Sequence, residues 1–391
     1  MNDKKRIVYT TVYGRQVLVY LEGDEPLRIR VLDKEPGFPI GTVVLARVKK
    51  MMPSSGACFV DIGDDTDYFL QIPGNLNLLY FADGKKHDKV HNEDVILVQV
   101  SSEGVKMKSP GVTGNISLHS RHLVIESGKG LSFSSKIPRE ERDLIAVPEK
   151  ICAYSSKYHI IVRTESAGIT DTDVFNEEIE LLYEDYERIM ERVKTACLYN
   201  VLYKPEGYLQ TVINDWLKYG CDELITDIPD RTDEIEQIAD IRGISFCRYM
   251  DDYPLCKLYK LETCVDQCLS RKVYLKSGAF LVIEQGETLT AVDVNSGHNT
   301  KGNKEETSFN ININAARELL KQLRLRNISG MILVDFINMK QDAHLEELIQ
   351  ETRKILKDDD VMCRYIDMTG LGLMELTRKK VYKSFIEQWK N

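Results

Sequence analysis

Hydrophobic and polar positions change period several times along the chain, and each change predicts a different element. Residues 1–35 alternate in short runs, IVYTTVYGRQVLVYLEG and then PLRIRVLD, which predict strands; EPGF at 35–38 predicts a turn. From 39 to about 108, the runs GTVVLARVKK, GACFVDIG, DYFLQI and DVILVQVSS follow one another closely. That pattern predicts a small all-β barrel or sandwich. Between 115 and 165, NISLHSRHLVIES and HIIVRT add further strands. The period then becomes helical in NEEIELLYEDYERIMERVKTACL, with Ile179, Leu182, Tyr186, Ile189 and Val193 on one side. Its acidic side (Glu177, Glu178, Glu180, Glu184, Asp185) reads as solvated surface. Residues 201–270 alternate helix and strand as an α/β unit, in LQTVINDWLKYG, DELITDI, RTDEIEQIADIRG and SFCRYMDD. A second such unit starts at 271: GAFLVIEQ, TLTAVDVNS, a long helix, GMILVDFIN, the helix HLEELIQETRKILKDD, VMCRYIDM and a final helix. No internal repeat or low-complexity linker interrupts the series.

One strand breaks the expected chemistry. In LTAVDVNSG, Val292 and Val294 share one face, while Leu289, Ala291, Asp293 and Asn295 share the other. Asp and Asn are disfavoured inside strands, and a buried carboxylate is costly unless paired. GMILVDFINM is a second apolar strand that ends in a carboxylate, Asp335. Between the two lie the loop HNTKGNKEE and a helix whose apolar side is Phe309, Ile313, Ala316, Leu320 and Leu323. Strand, loop, helix, strand is a right-handed βαβ crossover that makes the two strands parallel neighbours. Both carboxylates would then emerge near one sheet edge, where open α/β sheets bind ligands. Close carboxylates repel, and a hard divalent cation such as Mg²⁺ relieves the conflict while leaving room for water and phosphate oxygens. Asn295 would offer its amide to a phosphate oxygen. Two other readings stand beside this one. Each Asp simply begins a turn, or the pair is a glycosidase-type acid and base. The second is weakened because neither tryptophan, Trp216 nor Trp389, is near these strands. On the intervening helix, Arg317, Lys321 and Arg324 form a basic stripe, and the tail adds Arg378, Lys379, Lys380 and Lys383. Residues 271–330 carry nine Lys or Arg against six Asp or Glu, so a basic region is expected beside the carboxylates, suited to a polyanion. A plain solvated helix face is the alternative.

Composition narrows the setting. A chain of 391 residues suggests two to four domains, and 43% hydrophobic content is ordinary for a globular protein. The nine cysteines are scattered, odd in number and form no CxxC pair, which argues against a disulfide framework and for a reducing cytoplasm. Cys264 and Cys268 lie one helical turn apart without further ligands, so core packing is expected there rather than metal. MNDKKRIVYTTVYG is too polar for a signal peptide, and no apolar run suits a membrane span. The net charge of −9 means that any nucleic-acid surface must be local.

VDVNSG, followed by EETSFNININAARELLKQLRLRNISGMILVDFINM, closely resembles the catalytic segment of the ribonuclease E/G family. RKVYLKSGAFLVIEQGETLTAVDVNSG upstream and GLGLMELTRKK downstream extend the match, which continues more weakly over the whole chain. The resemblance implies a multidomain α/β (α+β) endoribonuclease. Its implied parts are an RNase H-like domain split over 1–38 and 201–270 and an S1-type OB-fold barrel over 39–115. A 5′-sensor region over 116–200 and a DNase I-like catalytic domain over 271–391 complete it.

The resemblance also assigns roles. Asp293 and Asp335 would hold Mg²⁺, with Mn²⁺ as a substitute, and Asn295 would contact the scissile phosphate. Cleavage would leave a 5′-phosphate and a 3′-hydroxyl. Phe59, Phe69 and Lys108 would contact single-stranded RNA; Arg163 and Thr164 would grip a 5′-monophosphate, with Val124 behind the terminal base. Alternation independently puts Phe59 opposite Cys58, Val60 and Ile62, on a face open to a stacking base or a packed neighbour. Some features depart from the family. The chain ends at QWKN without the CPxC zinc motif, so no zinc is expected, and any homodimer would form through catalytic domains. HNTKGNK differs from the usual loop, Gly111 stands where arginine is common, and GTVVLARV lacks the usual Asn and Lys. A non-catalytic RNA-binding or ribosome-associated protein and a metal-dependent DNA nuclease are the rival expectations.

Overall fold

The computed structural model describes residues 4–390, apart from 34, 75–78, 84–86, 106–107, 170, 206, 298–303 and 358. The altered loop HNTKGNK therefore lies almost wholly outside the described residues. The chain divides into two compact units: 1–35 with 105–107 and 212–391, and 36–104 with 108–211.

In the second unit, the short runs between 39 and 115 close into a barrel. Val43–Met52, Ala57–Asp61, Asp67–Gln71, Gly111–Thr113 and Val95–Ser102 are neighbours in that order, and the last pairs back onto the first. Strand alternation turns Val44, Ala46, Val48, Cys58, Val60, Ile62 and Leu70 into the barrel interior. Val43 and Leu45 face outward, into a second core with the sheet that carries Leu123, Ile125, Ile160 and Val162. The helix Thr172–Arg192 covers that sheet with Phe175, Ile179, Leu182, Tyr186 and Ile189. Its acidic side is not all surface. Glu178 is largely buried and accepts from Ser120 Oγ at 2.5 Å, His122 N–H at 2.9 Å and His122 Nδ1 at 2.8 Å.

The first unit holds two sheets. Ser245–Arg248, Glu223–Thr226, Lys5–Val12, Arg15–Glu22 and Glu25–Val31 form one, with Lys5–Val12 parallel to Glu223–Thr226. The second runs Lys272–Tyr274, Phe280–Gln285, Leu289–Asn295, Gly330–Asp335, Met374–Arg378, Cys363–Met368. Within it, only Leu289–Asn295 and Gly330–Asp335 pair in parallel, across the helix Lys304–Leu325. That helix buries Ile311, Ala315, Ala316, Leu319, Leu320 and Leu323 against Val292, Val294, Ile332 and Val334. Phe309 and Ile313 fall at the margin of the stripe, and Ser308 and Asn312 take buried places.

Three expectations change. The final helix is preceded by a strand, Met374–Arg378, because Met374, Leu376 and Arg378 alternate into the core. Arg378 is therefore no part of a basic tail. It is 2% exposed, with Nε 2.9 Å and Nη2 3.3 Å from the Asp359 carboxylate, and Nη1 2.9 Å from Asn327 Oδ1. The basic stripe does not adjoin the carboxylates either, since its helix lies on the valine side of the sheet. Arg317 pairs with Glu351 at 2.7 Å, Lys321 pairs with Glu25, and Arg324 Nη2 donates to the Ile355 carbonyl at 3.4 Å. Cys264 and Cys268 are buried core residues, and their mutual hydrogen bond together with burial raises the Cys264 thiol pKa. Among the described residues, no helix is long and apolar enough to cross a membrane.

Candidate functional site

Asp293 and Asp335 are directly opposite each other in the parallel ladder. Adjacent strands are about 4.8 Å apart, and in-register residues point to the same face. Thr290, Val292 and Val294 are buried, while Ala291 and Asp293 are exposed; on the next strand Ile332 and Val334 are buried while Met331 and Asp335 are exposed. The carboxylates thus stand on the sheet face that the crossover helix leaves open. They line a depression of about 300 Å³ with Val282, Glu284, Ala291, Leu333 and Leu373.

Like charges directly opposite on neighbouring strands destabilise the pair. Among the described residues, Asp335 has no hydrogen-bond or ion-pair partner, and Asp293 accepts only from Asn295 Nδ2, at 2.5 Å. The donors are hard oxygens, they stand in register on paired strands, and the face that carries them is open to solvent. That set fits a Mg²⁺ ion, which uses one or two carboxylates and fills its remaining positions with water and phosphate oxygens. No group of three or more His, Cys, Asp or Glu able to hold a metal occurs among the described residues.

The surrounding contacts fix this geometry. Asn312 is fully buried on the crossover helix, and it clamps the chain just past Asp335. Its Nδ2 donates to the Ile337 carbonyl at 2.7 Å, and its Oδ1 accepts from the Ile337 N–H at 3.0 Å. Glu305, on the first turn of that helix, accepts from the N–H groups of Lys340 at 2.9 Å and Gln341 at 3.0 Å. Those backbone bonds, Gln341 first, hold the Glu305 carboxyl below its ordinary pKa. After Asn295 the chain turns through Gly297 at φ +60°, where a Cβ would come within 2.4 Å of the Gly278 carbonyl oxygen. Only glycine fits that close approach. Periodicity announced none of these supports; the spacing of Gly297 from Asn295 was the one available hint.

The other predicted residues lie in the second unit. Phe59 and Phe69 are opposite each other in the barrel ladder, with ring centroids 6.0 Å apart in an edge-to-face arrangement. Both are half-buried on the outer barrel face, and Lys108 is exposed. At Gly111 a Cβ would meet Ser102 Oγ at 2.5 Å, so a side chain there would have to turn aside that hydroxyl, which accepts from the Gly111 N–H at 3.1 Å. Val124 pairs with Ile161, and Arg163 follows in extended conformation. Arg163 Nη1 donates to the Ser120 carbonyl at 2.5 Å, and Thr164 Oγ1 shares a 2.9 Å hydrogen bond with Ser134 Oγ. Glu178, which binds Ser120 and His122, therefore steadies the segment on which Arg163 leans. Burial alone would raise the Glu178 carboxyl pKa, but hydrogen bonds from His122 and Ser120 outweigh it and hold the group below its ordinary value.

A mixed α/β chain with a closed five-stranded barrel and a strand-end carboxylate pair is the class these observations define. Residues 117–381 match the Ribonuclease E/G family, and the chain belongs to that family. It is 28% identical over 360 residues to ribonuclease E of Synechocystis sp., covering 89% of this chain and 53% of that protein. It is 28% identical over 366 residues to ribonuclease G of Haemophilus influenzae, covering 88% of this chain and 73% of that protein. With ribonuclease G of Escherichia coli K12 the identity is 27% over 395 residues, covering 94% and 78%. The chain spans about half the length of the ribonuclease E relatives it matches.

Proposed function

We infer that the chain is a metal-dependent endoribonuclease that cleaves single-stranded RNA to 5′-phosphate and 3′-hydroxyl ends, in RNA processing or decay. The observation that carries this reading is the in-register pair Asp293 and Asp335, unneutralised on an open sheet face within a segment of family sequence. The two carboxylates would hold Mg²⁺, which supplies positive charge to the scissile phosphate and favours ionisation of water. The chain's own groups do the positioning. Asn295 spends one amide hydrogen on Asp293 and has a second for a non-bridging phosphate oxygen. Asn312 and Glu305 keep the Asp335 strand end from drifting. In the barrel, Phe59 and Phe69 offer ring faces to bases, and Lys108 offers charge to the backbone. Arg163 has guanidinium N–H groups beyond the one bound to Ser120, and with the Thr164 hydroxyl it would grip a 5′-monophosphate beside Val124.

The test is cleavage of a labelled single-stranded oligonucleotide, RNA and DNA in parallel, with and without Mg²⁺. Asp293→Asn and Asp335→Asn are expected to fold and to lose cleavage by about a hundredfold or more, the usual scale for removing a charge-stabilising group. Wild-type rates in either folded variant would sink the mechanism. Binding without cleavage by the wild-type chain would favour an RNA-binding protein. Rates on 5′-monophosphate and 5′-hydroxyl RNA that are equal, and unchanged by Arg163→Ala, would remove the sensor.

A further inference from the structure

The open face of the six-stranded sheet carries more than the carboxylate pair. Strand register aligns Lys272, Val282, Asp293 and Asp335 in one row, and Tyr274, Phe280 and Asn295 in the next. Paired positions on neighbouring strands share a face. Lys272, Tyr274 and Phe280 therefore stand on the side of the aspartates, with Phe280 about 5 Å and Tyr274 about 10 Å across the sheet from Asn295. Tyr274 is 69% exposed. Its ring centroid is 6.0 Å from that of Phe280, with planes tilted by 55°. Lys272 Nζ lies 3.6 Å from the Phe280 centroid and 4.8 Å from that of Tyr274. Neighbouring Arg271 is paired with Glu284 at 2.9 Å, whereas no carboxylate pairs with Lys272 among the described residues.

We propose that Tyr274, Phe280 and Lys272 form a nucleotide subsite beside the carboxylate pair. Tyr274 stacks a base next to the scissile phosphate, backed by Phe280, and Lys272 neutralises that nucleotide's phosphate. The proposal rests on the endoribonuclease reading and deepens it. Two rings beside an ammonium that holds their faces but has no carboxylate partner among the described residues match the two parts of a nucleotide, a π-face and an anion. The rings and the lysine are continuous in register with the site that would hold the reacting phosphate. Three side chains, one of them charged, are too small and polar a patch for a stable interface between copies of the chain.

The test uses the full chain, as wild type, Tyr274→Ala, Tyr274→Trp and Lys272→Gln, on an oligoribonucleotide in which one abasic nucleotide is walked past the cleavage site. In wild type, one flanking abasic position should raise KM about tenfold, the scale of one stacked base. Tyr274→Ala should raise KM about as much on the intact oligonucleotide and lose sensitivity to that position, and Tyr274→Trp should restore both. Lys272→Gln should reduce the slope of log affinity against log salt by about 0.7, the value for one single-strand phosphate contact. If wild type cleaves and Tyr274→Ala keeps its KM and its abasic profile, the subsite is overturned while the nuclease reading stands. If wild type binds without cleaving, the same variants are compared by fluorescence anisotropy; equal Kd overturns the subsite, and a tenfold loss upholds it. Neither binding nor cleavage overturns both. An unchanged KM with a loss of dimer mass in light scattering makes the patch an interface between copies, which also overturns the proposal.

Discussion

Replacing Asn312 with Ala tests whether the crossover helix holds the Asp335 strand end. Asn312 is fully buried and uses both ends of its amide on one residue, donating to the Ile337 carbonyl at 2.7 Å and accepting from its N–H at 3.0 Å. Truncation leaves a backbone donor and acceptor without partners. Each such group costs about 1–3 kcal/mol when buried. Ile337 is only half-buried, so water relieves part of this, and the expected local loss is about 2–4 kcal/mol. Asn312→Asp should be worse than Ala, because it turns an acceptor toward the Ile337 carbonyl where a donor stood.

Global denaturation is a poor assay for a chain of two compact units, because two-state analysis fails there. Native-state hydrogen exchange reads the local event. Protection of the Ile337 amide should fall by about 30- to 700-fold, at tenfold per 1.4 kcal/mol. Cleavage should fall with it, since a shift of about 1 Å in a reacting group costs about a hundredfold. Asn314→Ala, at an exposed position on the same helix, is the control and should change neither. Wild-type exchange across 335–338 in Asn312→Ala would refute the clamp, whatever happened to activity.

Arg378→Leu should destabilise its unit by about 3–5 kcal/mol, because it strands the buried Asp359 carboxylate, and Asp359→Leu added to it should recover much of the loss, read as native-state exchange protection of the Met374–Arg378 amides. A single variant with wild-type protection there would show that the ion pair carries no stability. Glu178 gives a pH prediction. Its carboxyl is held below the ordinary value of 4.5, so its stabilising contribution is full above about pH 4.5 and fades as the pH falls through the lower folded value. Glu178→Gln should flatten that acid limb when exchange at 120–126 is followed between pH 5 and about 3; an unchanged limb would assign the acid sensitivity elsewhere.

Much of this was written in the alternation of side chains, and the exceptions have one physical origin. Period-two patterning tells which residues share a face, so the barrel interior and the Val292/Asp293 division follow from sequence alone. It does not tell which face a helix will cover. That is decided by the right-handed βαβ crossover acting with burial: the helix must lie on the side of Val292, Val294, Ile332 and Val334, and so the aspartates stay open. The basic stripe on that helix lies away from the carboxylates for the same reason, since a residue near them in sequence is carried to the opposite side of the sheet. Polar residues at buried positions are the other feature that local pattern does not reveal. Asn312, Glu178 and Arg378 look like surface residues because their partners, Ile337, Ser120 with His122, and Asp359, are distant in sequence. A buried polar group is stable only when such a partner exists. Strand Met374–Arg378 is not legible locally, because Met, Glu and Leu favour helix, and pairing with Gly330–Asp335 and Cys363–Met368 overrides that preference. The candidate site inherits both features. Its charges are exposed because the apolar side of the same two strands claims the helix, and the Asp335 strand end is held by the Asn312 amide and the Glu305 carboxylate, which no local pattern predicts.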